Sequence, residues 1–270
     1  MKHFPESFSP TRFNDVNLVL HNFLAHIQAL LENHFVGMYL VGSLALGDFD
    51  PLNSDIDFIV VTEAEIGDDL FDGLQDIHAQ FAVSISAWAE RIEAIYVPRS
   101  ALSHTTPSAS PYPQLEKGTR LFKAPLESGW VFQCISMRNH GVIIAGPTPR
   151  TVVGPIRPHD LYSASANLVG TWIEQAETDP TWLFWLRQRS AQSFVILTLC
   201  RLLYSLVTGD VTSKPRAAEW ASRELGEPWT ALIERAQAGQ HEVGNITQIE
   251  EEETLAFIRF TLAQSNRQIS

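Results

Sequence analysis

The chain has little cysteine. Cys134 and Cys200 are its two, both in apolar surroundings and neither in a CxxC or Cys/His cluster. That pattern excludes a disulfide framework and a zinc ribbon, and reads as buried free thiols in a reducing compartment. The nine histidines show no HExxH or paired spacing, so a histidine-built metal site is not expected. GxxxxGK[ST] and GxGxxG are both absent, which excludes a P-loop and a dinucleotide fingerprint. Basic residues are scarce. Nineteen Lys and Arg stand against 31 Asp and Glu, a net charge of -12, so the molecule as a whole repels nucleic acid. The same balance tolerates a cationic small molecule, or simply keeps the protein soluble. Long apolar runs are missing too. The longest, Phe194 to Leu199, ends at Cys200 and Arg201, far short of the ~18 residues that span a bilayer. Met1 to Ser7 carries no apolar h-region, so no secretory signal is visible and the expected location is the cytoplasm.

What is present is a large apolar fraction, 45% of 270 residues, enough to bury a sizeable core in one or two domains. Val16, Leu20, Phe23, Leu24, Ile27 and Leu31 recur at spacings of three and four, predicting a helix from Asn14 to Asn33. Strands are predicted at Phe35 to Val41, Asp57 to Thr62, Ile92 to Val97 and Gly141 to Ala145, with a helix at Asp68 to Phe81. Leu44 to Ser54 reads as loop or short helix. Ser103 to Gln114, rich in Pro, Ser and Thr, reads as a connecting loop. Trp130 to Arg138 is helix or strand; its periodicity does not decide. Pro147, Pro149, Gly154, Pro155 and Pro158 then mark a domain boundary. Beyond it the pattern is helical: Asp160 to Glu177, Ser190 to Val207, Lys214 to Leu225, Trp229 to Ala238 and Glu250 to Ala263. The last opens on four glutamates, which suit a helix N-terminus. The expected fold is an α/β domain over residues 1–150 joined to an α-helical bundle over 151–270.

The chemistry gathers at one stretch. An apolar strand ends at Gly42-Ser43, and Asp55 and Asp57 open the next strand. Residues i and i+2 of a strand face the same side, so the two carboxylates point together. Like charges held that close call for cations, and Mg²⁺ with substrate phosphates suits one or two carboxylates. Glu93, near the start of a later strand, could take a proton from an attacking hydroxyl, or could be an exposed residue at a strand edge. Trp172, Trp182 and Trp185 fit core or inter-domain packing.

Gly42-Ser43, an eleven-residue gap, and then Asp55-x-Asp57 resembles the signature of the nucleotidyltransferase superfamily, which includes DNA polymerase β. Arg91 to Val97 is similar to the strand that carries that family's third carboxylate. His140 to Pro147, Val195 to Gly209 and Lys214 to Ala221 resemble one branch, the aminoglycoside 3''-adenylyltransferases, over most of the chain. The resemblance implies an α/β nucleotidyltransferase domain with a mixed sheet and a helical substrate-binding domain. It implies that AMP is transferred from ATP, with Mg²⁺, to a hydroxyl of a small molecule such as an aminoglycoside antibiotic. Asp55 and Asp57 would bind metal, Glu93 would be the base, and Gly42, Ser43 and Lys214 would hold the nucleotide. Trp182, Trp185 and Arg187 would lie at the acceptor. That branch places acids after its tryptophan, where this chain has Arg187, Gln188, Arg189 and Gln192. Arginines there would repel a polycationic drug and could instead meet phosphates or an anionic acceptor, or form a solvated helix face. Transfer of AMP to a protein side chain, or nucleotide binding without catalysis, are the alternatives.

Overall fold

A computed structural model describes residues 9–84, 86–103 and 110–267. The chain forms two compact units, Met1–Pro155 and Ile156–Ser270. The first contains α1 (Asn14–Leu31), β1 (Phe35–Leu40), α2 (Gly42–Leu46), β2 (Ile56–Thr62), α3 (Asp68–Ala82) and β3 (Ile92–Pro98). It continues with α4 (Arg99–Ser103), β4 (Pro111–Leu115), β5 (Phe122–Pro125), α5 (Trp130–His140), β6 (Val142–Ala145) and α6 (Pro149–Val152). The second contains α7 (Pro158–Thr178), α8 (Pro180–Leu186), α9 (Arg189–Thr208), α10 (Lys214–Leu225), α11 (Trp229–Ala238) and α12 (Gln248–Asn266).

The strands of the first unit form one mixed sheet in the order β5-β4-β3-β2-β1-β6. β2 and β3 run parallel, joined through α3, and the other neighbours are antiparallel. The strand period of two divides β2 cleanly. Ile56, Phe58 and Val60 join the core beneath α1 and α3, with Val16, Leu20, Phe23, Ile27 and Leu74. The rings of Phe23 and Phe58 lie 5.6 Å apart. Each such buried side chain contributes about 1.5–3 kcal/mol. Asp57, Ile59 and Val61 point to the opposite face, where α2 packs on β2.

The second unit is helical throughout its described residues. α9 runs 20 residues with a hydropathy of 1.5 over its most apolar window, long and apolar enough to cross a membrane, yet 67% of that window is buried. The reason lies in its neighbours: α7, α8, α10, α11 and α12 all pack on it, and an all-round apolar helix is what a bundle centre requires. Gly209 ends it in the left-handed conformation, φ 71°. α12 starts with a reciprocal cap between Thr247 and Glu250. Both cysteines are buried and unpaired, and burial pushes each thiol up to about 12.

Some sequence expectations need correction. The Pro/Ser/Thr-rich stretch lies partly outside the described residues, but Pro111 to Gln114, read as loop, is strand. β3 pairs with β4 only through Ala94 and Ile95, opposite Leu115 and Gln114, so Pro111 and Pro113 lie beyond that ladder. Trp130–His140 is helix. The stretch from Trp182 to Gln192 spans the end of α8 and the start of α9. α8 ends at Leu186, and Arg187 and Gln188 pair instead with the chain near Asn245: Ile246 N–H donates to the Arg187 carbonyl at 2.8 Å, and Arg189 N–H to that of Gly244 at 2.8 Å.

Candidate active site

The parallel register sets Asp57 directly opposite Glu93. Both strands face their odd-numbered residues the same way here, so the two carboxyl groups meet on one face and are hydrogen-bonded to each other. Burial and the nearby charge of Asp55 raise the Glu93 pKa; the bonds from Asp57 and from the Lys117 backbone N–H work against that rise.

Gly42 closes the other side. Its φ is +62°, and a Cβ built on it would lie 2.0 Å from Asp57 Oδ2. Only glycine allows the backbone to come this near to the carboxylate. Val41 N–H donates to the Asp57 carbonyl at 3.0 Å, which ties the entry to α2 against β2. Ser43 follows in α2, its carbonyl accepting from Asp48 N–H at 3.0 Å.

Asp55 stands one step before β2, at the end of a loop held by its own polar groups. Asp50 accepts from Leu52 N–H at 3.0 Å and from the Asn53 amide at 2.7 Å. Arg91 donates to the carbonyls of Pro51, at 2.9 Å, and Ser54, and lies 4.5 Å above the Trp88 ring. Its Nε is 3.7 Å from Asp55 Oδ1, and Lys117 Nζ is 3.0 Å from the same atom. Arg91 Nε is too far for a hydrogen bond and Lys117 Nζ hydrogen-bonds Oδ2 at 3.4 Å, so Oδ1 is buried with ion pairs but no hydrogen bond.

Sequence reading missed Arg91 and Lys117 as parts of this site. Arg91 was detectable as a cation two residues before Glu93. Lys117 sits 62 residues from its partner, and no local pattern announces that contact.

A divalent cation suits these residues. Asp55 Oδ1 is buried and met only by ion pairs, and the charge of Asp55 acts on the Glu93 that Asp57 faces. Among the described residues no three His, Cys, Asp or Glu side chains are gathered as metal ligands. Asp55 and Asp57 would therefore supply the protein's share, with the remaining oxygens coming from substrate and water.

The other expected site residues belong to the second unit. Trp182 and Trp185 lie 5.9 Å apart on α8, Trp185 lies 6.2 Å from Phe194, and Lys214 Nζ is 5.5 Å from the Phe194 ring centre. Arg187 is engaged: its Nε is 2.7 Å from Glu251. Arg189 Nη1 is 2.6 Å from Glu250, and Arg235 pairs with Glu250, at 3.8 Å, and Glu253. The Glu run that opens α12 thus meets the arginines that sequence reading left facing a ligand or solvent. Hydrogen bonding to Arg189 holds Glu250 down at about 2.

Residues 25–108 match the nucleotidyltransferase domain family, and residues 151–264 match the aminoglycoside adenylyltransferase C-terminal domain family. The chain carries a nucleotidyltransferase domain. Joined to it is the C-terminal domain of the aminoglycoside adenylyltransferases.

Among curated relatives, the aminoglycoside (3'') (9) adenylyltransferase of Escherichia coli is 31% identical over 39% of this chain and 37% of its own length. That of Rhizobium radiobacter is 32% identical over 39% and 36%. The matches to these two span little more than a third of each relative. The spectinomycin 9-adenylyltransferase of Campylobacter jejuni is 22% identical over 88% of this chain and 90% of its own. A crystal structure of spectinomycin adenyltransferase from Enterococcus faecialis, with ATP and spectinomycin, has the same fold. Its TM-score is 0.67 at 17% identity, covering 94% of this chain and 99% of that one.

Proposed function

We propose that this chain transfers AMP from ATP to a hydroxyl group of a small molecule, and that the acceptor is an aminoglycoside or spectinomycin-type antibiotic. The observation that carries the reaction is the meeting of Asp57, Glu93 and Gly42 on one face of the sheet. The similarity to adenylyltransferases of both antibiotic types supports the acceptor class.

In this reading Glu93 takes the proton from the acceptor hydroxyl. The hydroxyl oxygen bonds to the α-phosphorus as the bond to the pyrophosphate oxygen breaks, and pyrophosphate leaves. A carboxylate whose burial and acidic neighbour raise its pKa is a stronger base than an exposed one. Mg²⁺, held by Asp55 and Asp57, would offset the negative charge gathering at the phosphate oxygens. Gly42 and Ser43 hold the triphosphate in this assignment, and Lys214 pairs with phosphate oxygens. Trp182, Trp185 and Arg187 lie along the acceptor, with the nucleotidyltransferase domain ending near residue 150 and the substrate-binding domain following it. ATP as donor makes the cytoplasm the place of reaction.

The ion pairs of the second unit remove one objection to a cationic acceptor. Arg187, Arg189 and Arg235 are met by Glu250, Glu251 and Glu253, with Glu242 4.0 Å from Arg189. The acids outnumber the arginines, so this region does not oppose a cation by net charge. The test is pyrophosphate release with ATP, Mg²⁺ and a panel of hydroxylated acceptors that includes streptomycin and spectinomycin. Release stimulated by one of these antibiotics is the expected result. ATP binding with no acceptor-stimulated release would overturn the antibiotic reading.

A further inference from the structure

Lys117 connects two parts of the carboxylate site. It lies in the tight turn between β4 and β5, where Thr119 N–H donates to the Glu116 carbonyl at 3.0 Å and Thr119 Oγ1 donates to it at 2.8 Å. Gly118 takes φ +70° at the position where such a turn requires a left-handed residue. This fixes the Lys117 backbone, and its N–H bonds to Glu93. Its side chain crosses to Asp55, with Nζ 3.0 Å from Oδ1 and 3.4 Å from Oδ2.

The two cations at Asp55 are not equivalent. Arg91 is 19% exposed and committed to two loop carbonyls and the Trp88 ring. Lys117 is 53% exposed, a single charge on a flexible stem with solvent beside it. Arg91 is built in; Lys117 can leave without disturbing the backbone that holds Glu93.

We propose that Lys117 is an internal counter-ion of this site: its ammonium occupies the cation position at Asp55 in the metal-free protein and withdraws when a divalent ion binds. The inference rests on the reading of Asp55 and Asp57 as metal ligands. It makes Lys117 a positioning residue. It neutralises Asp55 while the site is empty, and it competes with the metal for the same oxygen.

The test is Mn²⁺ binding to the full chain without nucleotide, read by electron paramagnetic resonance of free Mn²⁺, for wild type, Lys117→Met and Lys117→Arg. Both substitutions keep the backbone N–H on Glu93 and alter a half-exposed side chain, and circular dichroism checks the fold. Removing a partly exposed ion pair that competes with the metal should tighten Mn²⁺ binding about two- to fivefold in Lys117→Met. Lys117→Arg, which keeps the charge, should stay near wild type. Equal affinity in wild type and Lys117→Met, or weaker binding in the variant, would overturn the inference while leaving the metal site standing. No Mn²⁺ binding to any of the three, either alone or with a non-hydrolysable ATP analogue, would overturn the metal-ligand reading and this inference with it.

Discussion

Asp57 and Glu93 are register partners on neighbouring parallel strands, 36 residues apart in sequence and hydrogen-bonded through their carboxyl groups. Neither strand alone creates this pair. β2 brings an aspartate on the face away from the core, β3 brings a glutamate on the same face, and the ladder aligns them.

Replacing Asp57 by Ala should therefore damage more than one ligand position. It removes a carboxylate assigned to the metal and the hydrogen bond to Glu93. AMP transfer should fall at least about a hundredfold, as when a group that stabilises developing charge is lost. Steady-state rates with saturating ATP and acceptor check this; an undiminished kcat would remove Asp57 from the reaction.

Gly42→Ala tests the close approach behind that carboxylate. The new methyl must occupy space 2.0 Å from Asp57 Oδ2, at a φ of +62° that costs an L-residue roughly 1–2 kcal/mol. Urea unfolding should show at least that loss in the first unit. Turnover should fall by about a hundredfold, because a displacement near 1 Å is enough.

The site carboxylates were legible in the sequence because their signal is local. Asp57 lies at a strand start and Glu93 near the start of another apolar strand, while Asp55, expected on the same strand, ends the loop before β2. Register was not legible, because alternation fixes the face a residue takes but not its partner across the ladder. Lys117 was invisible for the same reason, since its partner lies 62 residues away. β4 hid behind Pro111 and Pro113, which ordinarily argue against a strand. α8 was missed although Asp179 caps it, its side chain accepting from Thr181 N–H at 2.8 Å with Pro180 at the first position. Its seven residues are too few to display a helical period. The arginines at 187 and 189 could not be assigned partners before the fold returned the Glu250 to Glu253 run to them.

The ion pair between Arg189 and Glu250 should mark the acid stability of the helical unit. Glu250 sits at about 2 in the folded protein, against an ordinary value of 4.5. A depressed carboxylate contributes stability that is complete above about 4.5 and is lost as pH falls through about 2. Arg189→Met should cost about 1 kcal/mol at pH 7, since solvent screens the pair and Thr247 and Arg235 still hold Glu250. Its difference from wild type should vanish near pH 2. Denaturation followed by helical circular dichroism across that window measures both.

His78 sets a second pH dependence, in the first unit. It is buried, its Nε2 lies 2.7 Å from Tyr96 Oη, and burial pushes it down to about 4. The unfolded chain takes up the proton first, so this group leaves stability intact above about 6.5 and removes it as pH falls through about 4. Between pH 8 and pH 4 its share is about 3 kcal/mol. His78→Leu should be less stable at pH 8, because Tyr96 loses its partner, but should lack that part of the acid slope. Unfolding free energies from pH 8 to pH 4 compare the two.

The most direct measurement follows the phosphorus of ATP in wild type and Glu93→Gln. With label at the α-position, wild type should pass it to the acceptor; with label at the γ-position, all of it should leave as pyrophosphate. Glu93→Gln should retain ATP binding and lose transfer by about 10²–10⁴-fold, the usual contribution of a general base. Label passing from the γ-position to the acceptor, or full turnover in Glu93→Gln, would contradict AMP transfer with Glu93 as its base.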